Sequence, residues 1–266
     1  MTTCPIDEPL LQVRGISKAF GGVKAVNQLD LSVQAGTVTG LIGPNGCGKS
    51  TSIDCISGFQ PVDSGAILFQ GNDISNRSPD AIAHAGLMRT FQNIRIYDDL
   101  SVQENLLVSR QEFDRFSWMT AFAGSRAMRD KERQSAEKAQ ELLEEIGLQR
   151  YLKAPAGILS YGQKKLVALA AAMMSDPKLI ILDEPLAGVN PTVITRIEAL
   201  IKNRNEQGQT FLIVEHNMGF VMRSCHHIIV MESGAKLLEG PPDVVRNDER
   251  VIDAYLGRAR DRKEPA

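Results

Sequence analysis

Hydrophobic and polar positions alternate near the start of the chain, in Leu11-Gln-Val-Arg-Gly-Ile16 and again in Leu29-Asp-Leu-Ser-Val33. A period of two marks half-buried strands and Ala35-Gly36 marks a turn, so an antiparallel β opening is expected. Val38-Thr-Gly-Leu-Ile42 predicts a short strand running into a glycine-rich turn and a helix from about Lys49, and Ile67-Leu-Phe69 before Gly71 predicts another strand. From Val102 to Leu148 the apolar positions recur at steps of three and four, through Leu106, Leu107, Ala136, Ala139, Leu142, Leu143 and Ile146, the period of helices. Gly147 and the Pro155/Gly157 loop close that block.

After Leu159 the predicted order is a helix to Ser175, a strand Leu179-Ile-Ile-Leu182, a helix from about Pro191 to Glu206, a strand Thr210-Phe-Leu-Ile-Val214, a helix, and a strand Ile228-Ile-Val-Met231. Fully apolar strands alternating with helices predict a parallel sheet covered on both faces. The final stretch, Arg258 to Ala266, has no apolar period and is expected to fray.

Composition enters mainly by what it excludes. A chain of 266 residues that is 43% hydrophobic can bury a sizeable core. Thirty basic against 32 acidic residues leave a net charge of −2, so no chain-wide field steers it to nucleic acid, and no nucleic-acid partner is expected. The longest fully apolar run, Leu166 to Met174, is far shorter than the roughly 20 residues a membrane-spanning helix needs. The first residues, Met1 to Pro9, lack the basic and then apolar blocks of a secretory signal, and the chain is expected to stay where it is made. Cys4, Cys47, Cys55 and Cys225 show no C-x-x-C spacing, and reduced thiols are expected.

Three segments carry the chemistry. Gly43-Pro44-Asn45-Gly46-Cys47-Gly48-Lys49-Ser50 satisfies G-x-x-x-x-G-K-[ST] between a strand and a helix, the context in which backbone N–H groups and a helix N-terminus cradle phosphates. In that motif Lys49 reaches the β- and γ-phosphates of ATP and Ser50 binds Mg2+. The apolar strand ending in Asp183-Glu184 offers one carboxylate, Asp183, to the Mg2+ shell, and a second, Glu184, to take a proton from an attacking water. Without the phosphate loop the same pattern would be an ordinary strand-to-loop transition. Leu159-Ser160-Tyr161-Gly162-Gln163 reads locally as a helix start, with Ser160 as N-cap and Gln163 at N3 of a capping box. The stripe that follows, Leu166, Leu169, Ala170, Met173 and Met174, is expected to be core. A capped helix start is also a second phosphate-binding element, more than one ATP needs from one chain.

These segments, in this order, resemble the ABC ATPase family over nearly the whole chain. The resemblance implies an α/β P-loop NTPase fold with an antiparallel β subdomain and an inserted helical subdomain. It places the ATPase domain at residues 1–240, the helical insert at about 92–165 and a C-terminal extension at 241–266. It implies ATP and Mg2+ as cofactors, the nucleotide being held by residues 43–50, Thr51 and Asp183. Ser160, Tyr161, Gly162 and Gln163 take the place of the signature that closes over the ATP of a second ATPase subunit, identical or paralogous. Phe20, in Ser17-Lys-Ala-Phe20-Gly-Gly22, resembles the aromatic that stacks on adenine; by itself it would be core. Gln92, in Thr90-Phe91-Gln92-Asn93, resembles the glutamine that binds Mg2+, alongside Ser50 and Asp183. His216, in Ile213-Val-Glu-His216-Asn-Met218, resembles the switch histidine at the γ-phosphate, so the catalytic set is Glu184, His216 and Lys49.

The sequence departs from the common family pattern at Tyr161, where a second signature glycine is usual, and at Asn190, where Asp is usual. Ser-Tyr-Gly-Gln, Ala-Gly-Val-Asn-Pro, Glu-His-Asn-Met and Met88-Arg-Thr-Phe-Gln92 resemble the ATP-binding subunits of bacterial branched-chain amino-acid importers, with urea, amide and lipopolysaccharide transport ATPases as close relatives. The stretch Ser109 to Gln134, with Phe113, Phe116, Trp118 and Phe122, resembles an insertion of one of that importer's ATPases, and its aromatics are expected to pack on their own helices. Glu239 to Arg246 and Val251 to Leu256 continue the likeness. The implied partners are membrane permease subunits, the second ATPase subunit and, indirectly, a solute-binding protein. The implied place is the cytoplasmic face of the bacterial inner membrane. A soluble ABC ATPase would carry long coiled coils or two cassettes, and the sequence shows neither.

Overall fold

The computed structural model describes residues 8–90, 96–110 and 126–261, the side chains of 126–128 and 256–261 excepted. The chain divides into two compact units, one ending at Arg89 and resuming with Lys178–Leu186 and from Ile201 on, the other holding Thr90–Pro177 and Ala187–Leu200. Gln92, Phe113, Phe116, Trp118 and Phe122 lie outside the described residues.

The first unit opens with β1 (Leu11–Phe20) and β2 (Val23–Val33), antiparallel to each other, and β4 (Ser64–Phe69) and β5 (Asn72–Asp73) complete a four-stranded sheet in the order β2-β1-β4-β5. β1 and β2 run further than their alternation predicts. Register shifts between Val13 and Ala19 absorb the lapses in period while the ladder continues to Phe20 opposite Val23.

The main sheet is built on β3 (Val38–Ile42), β7 (Leu179–Asp183) and β8 (Thr210–Val214), whose residues are all buried, as expected of parallel strands covered on both faces. With β6 (Leu87–Thr90), β9 (His227–Glu232) and β10 (Ala235–Gly240) the order is β10-β9-β3-β8-β7-β6. β10 is antiparallel to β9, so the sheet is mixed rather than wholly parallel. The cause is the two-residue link Ser233-Gly234, with φ of 48° and 86°, a pair of left-handed residues that turns the chain straight back. β10 and the four-residue β6 carry too little apolar periodicity to be visible in the sequence.

The parallel register decides where chemistry can sit. Leu41 of β3 and Asp183 of β7 both lie opposite Val214 of β8, so the carboxyl ends of three neighbouring strands finish along one edge. In open α/β sheets ligands bind at that edge. Helix α1 (Lys49–Ile56) follows β3, and its Ile53 and Ile56 join Leu41, Ile181 and Leu212 and the apolar faces of β1 and β4 in one buried core.

In the second unit, α3 (Val102–Ser109), α4 (Arg126–Glu145) and α5 (Tyr161–Met173) bury Leu106, Leu142, Leu143 and Leu166 completely; α2 (Pro79–His84) belongs to the first unit. Both α3 and α5 begin with a full capping box, Ser101 with Glu104 and Ser160 with Gln163. The bond from Ser101 also holds the Glu104 carboxyl below its usual range. The stripe Leu166, Leu169, Ala170, Met173 and Met174 is buried. The long α6 (Pro191–Glu206) begins in this unit; α7 (Met218–Ser224), α8 (Pro242–Arg246) and α9 (Glu249–Asp261) belong to the first.

Candidate nucleotide site

The loop between β3 and α1 is closed by its own glycines and lysine. Gly43 has φ of 152° and Gly48 has φ of 102°; a Cβ on either would sit 2.2 Å from a backbone oxygen, that of Met231 for Gly43 and that of Ala25 for Gly48. Only glycine fits. Gly48 is also the N-cap of α1, and no described side chain caps that helix start. Its first N–H groups therefore face the loop with the positive end of the helix dipole, which is what an anion-binding turn requires. The Lys49 ammonium lies inside, 9% exposed, donating to the carbonyl oxygens of Gly43 (2.7 Å) and Pro44 (3.1 Å). The Gly234 N–H donates to the Cys47 carbonyl, which ties the β9–β10 turn to the loop.

Two strands along the sheet, on the far side of β8, Asp183 ends β7 and is 8% exposed. Its Oδ2 accepts from Arg89 Nη2 at 2.8 Å, and Arg89 Nη1 donates to Asp54 of α1 at 2.6 Å and to Ser57 Oγ at 3.1 Å. Arg89 thus fixes the carboxylate at the end of β7 to the helix that follows the phosphate loop, with both charges mostly out of water.

Glu184 follows Asp183 with φ of 48°, a left-handed conformation that costs a non-glycine residue energy. The turn is held by the Glu184 N–H on the Val214 carbonyl at 2.9 Å and by the Leu186 N–H on Glu215 Oε1 at 2.8 Å. Glu215 is 1% exposed, and its other oxygen accepts from the N–H groups of His216 (3.0 Å) and Asn217 (3.3 Å). His216 itself is exposed beyond the end of β8, with Nδ1 3.8 Å from that oxygen.

Phe20 stands at the β1–β2 turn and is 47% exposed, not core. Asp63 shapes this corner by accepting from Lys18 Nζ and the Ala19 N–H, bonds that hold its carboxyl below the usual range.

The structure brings the 43–51 loop, Asp183, Glu184 and His216 to the carboxyl edge of one sheet. Ser160 to Gln163 belong to the other unit and are built from within it. Gly162 lies against Val193, which a Cβ would approach to 2.8 Å, and the Tyr161 ring lies over Gly188. The Lys165 ammonium donates to the Ala187 carbonyl. Asn190 accepts the Val193 N–H at the start of α6, so Asn replaces Asp here with the capping function kept and the charge removed.

Arg89 and Glu215 tie this edge together, and sequence reasoning passed over both. Arg89 offered no signal beyond its motif neighbours. Glu215 did: a carboxylate directly prolonging a fully apolar strand is either exposed at once or buried with partners.

The comparisons with known proteins agree with this geometry. Residues 26–187 match the model of the ABC transporter family, and residues 235–261 match that of a branched-chain amino acid ATP-binding cassette transporter. The chain belongs to the ABC transporter family. It is similar to the high-affinity branched-chain amino acid transport ATP-binding protein BraF of Pseudomonas aeruginosa, at 39% identity over 96% of this chain and 100% of that protein. It is similar to LivG of Escherichia coli, of like description, at 35% identity over the same shares. Among solved structures it resembles a nucleotide-free ATP-binding cassette of an ABC transporter, with a TM-score of 0.80 and 36% identity over 93% of this chain and 99% of that one. The ADP conformation of the cassette MJ1267 matches at a TM-score of 0.80 and 35% identity, covering 94% and 99%. This ABC protein is therefore the ATP-hydrolysing subunit of a transporter. Among the described residues no helix is long and apolar enough to cross a membrane.

Proposed function

We propose that this ABC ATPase drives an importer of branched-chain amino acids, and that Lys49, Asp183, Glu184 and His216 carry its ATP hydrolysis. The convergence of the phosphate loop, the Asp183-Glu184 strand end and the His216 turn on one sheet edge supports the site, and the match of residues 235–261 supports the importer class.

The loop N–H groups and the α1 dipole bind the phosphates, and Lys49 offsets the charge that spreads over the transferred phosphoryl group. Phe20 stacks on adenine. Glu184 accepts the proton of the attacking water while His216 holds the γ-phosphate and water in line. Ser50 and Asp183, with Gln92, suit Mg2+, since a hydroxyl and one carboxylate are the hard oxygen donors that this ion takes beside phosphate oxygens. Mg2+ would neutralise charge shared by the β- and γ-phosphates.

The signature at Ser160 to Gln163 acts on the nucleotide of a second ATPase subunit, identical or paralogous. The helical segment at about 92–165 meets the permease subunits at the cytoplasmic face of the inner membrane, beside Asp98 and the exposed Tyr97. The test is reconstitution in proteoliposomes with the copurifying membrane subunits and their solute-binding protein. Leucine, isoleucine or valine should stimulate ATP hydrolysis. Stimulation by urea or an amide alone would move the protein to the related transport class, and hydrolysis indifferent to any solute would remove it from import.

A further inference from the structure

We infer that Glu215 is a positioning residue for ATP hydrolysis, the staple that fixes the Glu184 turn against the His216 turn. The inference rests on the catalytic roles proposed for those two residues and adds a third residue that touches neither nucleotide nor water.

The observation is a carboxylate almost fully removed from solvent that bonds in two directions. Oε1 accepts from the Leu186 N–H, two residues past Glu184, and Oε2 accepts from the N–H groups of His216 and Asn217. Burying a carboxylate is costly, and the fold keeps it where three backbone donors converge. Those donors belong to the two turns that carry the proposed base and the proposed phosphate contact. The Glu184 turn needs such a tie, because its left-handed backbone persists only where neighbouring bonds over-determine it. The ladder supplies one bond, from the Glu184 N–H to Val214, and Glu215 supplies the next.

Glutamine at this position has one acceptor oxygen and presents an NH2 group where the second oxygen stood. One side of the staple then faces donor against donor, so either the Leu186 bond or the His216/Asn217 bonds must open. The phosphate loop contacts neither turn through Glu215, so nucleotide binding should survive.

The experiment uses the transporter assembled with its membrane subunits and carries Glu215→Gln, His216→Ala and the pair, with ATPase kinetics and fluorescent-ATP binding for each. Misplacing a catalytic group by about 1 Å costs roughly 10²-fold, so Glu215→Gln should lower kcat about 10- to 100-fold while KM for ATP and nucleotide affinity stay within about twofold. With His216 already removed only the Glu184 turn is left for Glu215 to hold, and Glu215→Gln should then cost clearly less than it does in the wild-type background. Glu215→Asp keeps the charge and reaches the His216 and Asn217 N–H groups but falls short of Leu186; it should also lose kcat, and it takes the place of the glutamine variant if that one does not bind nucleotide. Wild-type kcat in either folded variant overturns the inference, as do a fully additive double mutant and a loss that falls on KM. If His216→Ala itself turns over at the wild-type rate, the catalytic assignment beneath the inference fails, which the single mutant reports separately.

Discussion

At Gly48 a side chain has nowhere to go: the backbone is left-handed and the Ala25 carbonyl occupies the space. Gly48→Ala should therefore disturb the whole loop, with a cost of about 1–3 kcal/mol in stability and loss of ATP affinity, both measurable by thermal melting with and without nucleotide. Lys49→Ala leaves the backbone alone and removes the single buried ammonium among the loop carbonyls. Turnover should fall about 10²- to 10³-fold or more, as for loss of a principal stabiliser of transition-state charge, and titration with fluorescent ATP should show weaker binding. Lys49, Asp183 and Glu184 stand out in the sequence because they are residue types at a spacing that phosphate chemistry uses. The groups that hold Asp183 and the turn after Glu184 do not, since Arg89 lies 94 positions from Asp183 and Glu215 lies 29 from Leu186, and they meet only through strand order.

Elements were legible where one local rule dominates. The apolar strands β3, β7 and β8, the helix α6 and the capping box of α5 follow from hydrophobic runs and from Ser160 and Gln163 alone. Ser160→Ala removes the acceptor for the Gln163 N–H and should cost about 1 kcal/mol, or about 2–4 °C in Tm, independently of its effect on turnover. β10 escaped notice because a two-residue turn, not periodicity, makes it, and Phe20 is exposed because it is the last residue of β1, beside the turn and past the buried part of the strand. Packing between elements also creates an alkaline liability. Burial pushes the Cys225 thiol up to about 12, the Cys55 thiol to about 11 and the Tyr255 hydroxyl of α9 to about 12. Each is raised in the folded protein, so the unfolded chain sheds the proton first and stability falls as pH climbs from about 9 for the thiols and about 10 for the tyrosine. Tm should decline from about pH 9 upward, and Cys225→Ala should flatten the decline in a pH series of melting curves.

For the whole molecule, two helix starts on one chain for which phosphate binding is proposed, at Gly48 and at Ser160, lead to the prediction of a catalytic unit of two subunits. Glu184→Gln keeps the side-chain shape and removes the base; a lost general base costs about 10²- to 10⁴-fold, enough for an ATP-closed pair to accumulate. Size-exclusion chromatography with ATP and Mg2+ should show a dimer that ADP does not support, and Ser160→Arg in the same background should abolish it. With a paralogous partner, the dimer should appear only when that subunit is supplied. A monomer under every one of these conditions would refute the two-subunit arrangement. The sequence by itself determined the fold class, the phosphate-loop motif, the Asp183-Glu184 strand end and the family, because each depends on residue type at short, fixed spacing. Tertiary structure alone decided that the Asp183 carboxylate is held by Arg89, that Glu184 sits in a left-handed turn, and that Glu215 is buried between two turns. Those facts depend on which strands lie side by side. Strand order is set by the packing of the whole sheet, not by any interval along the chain.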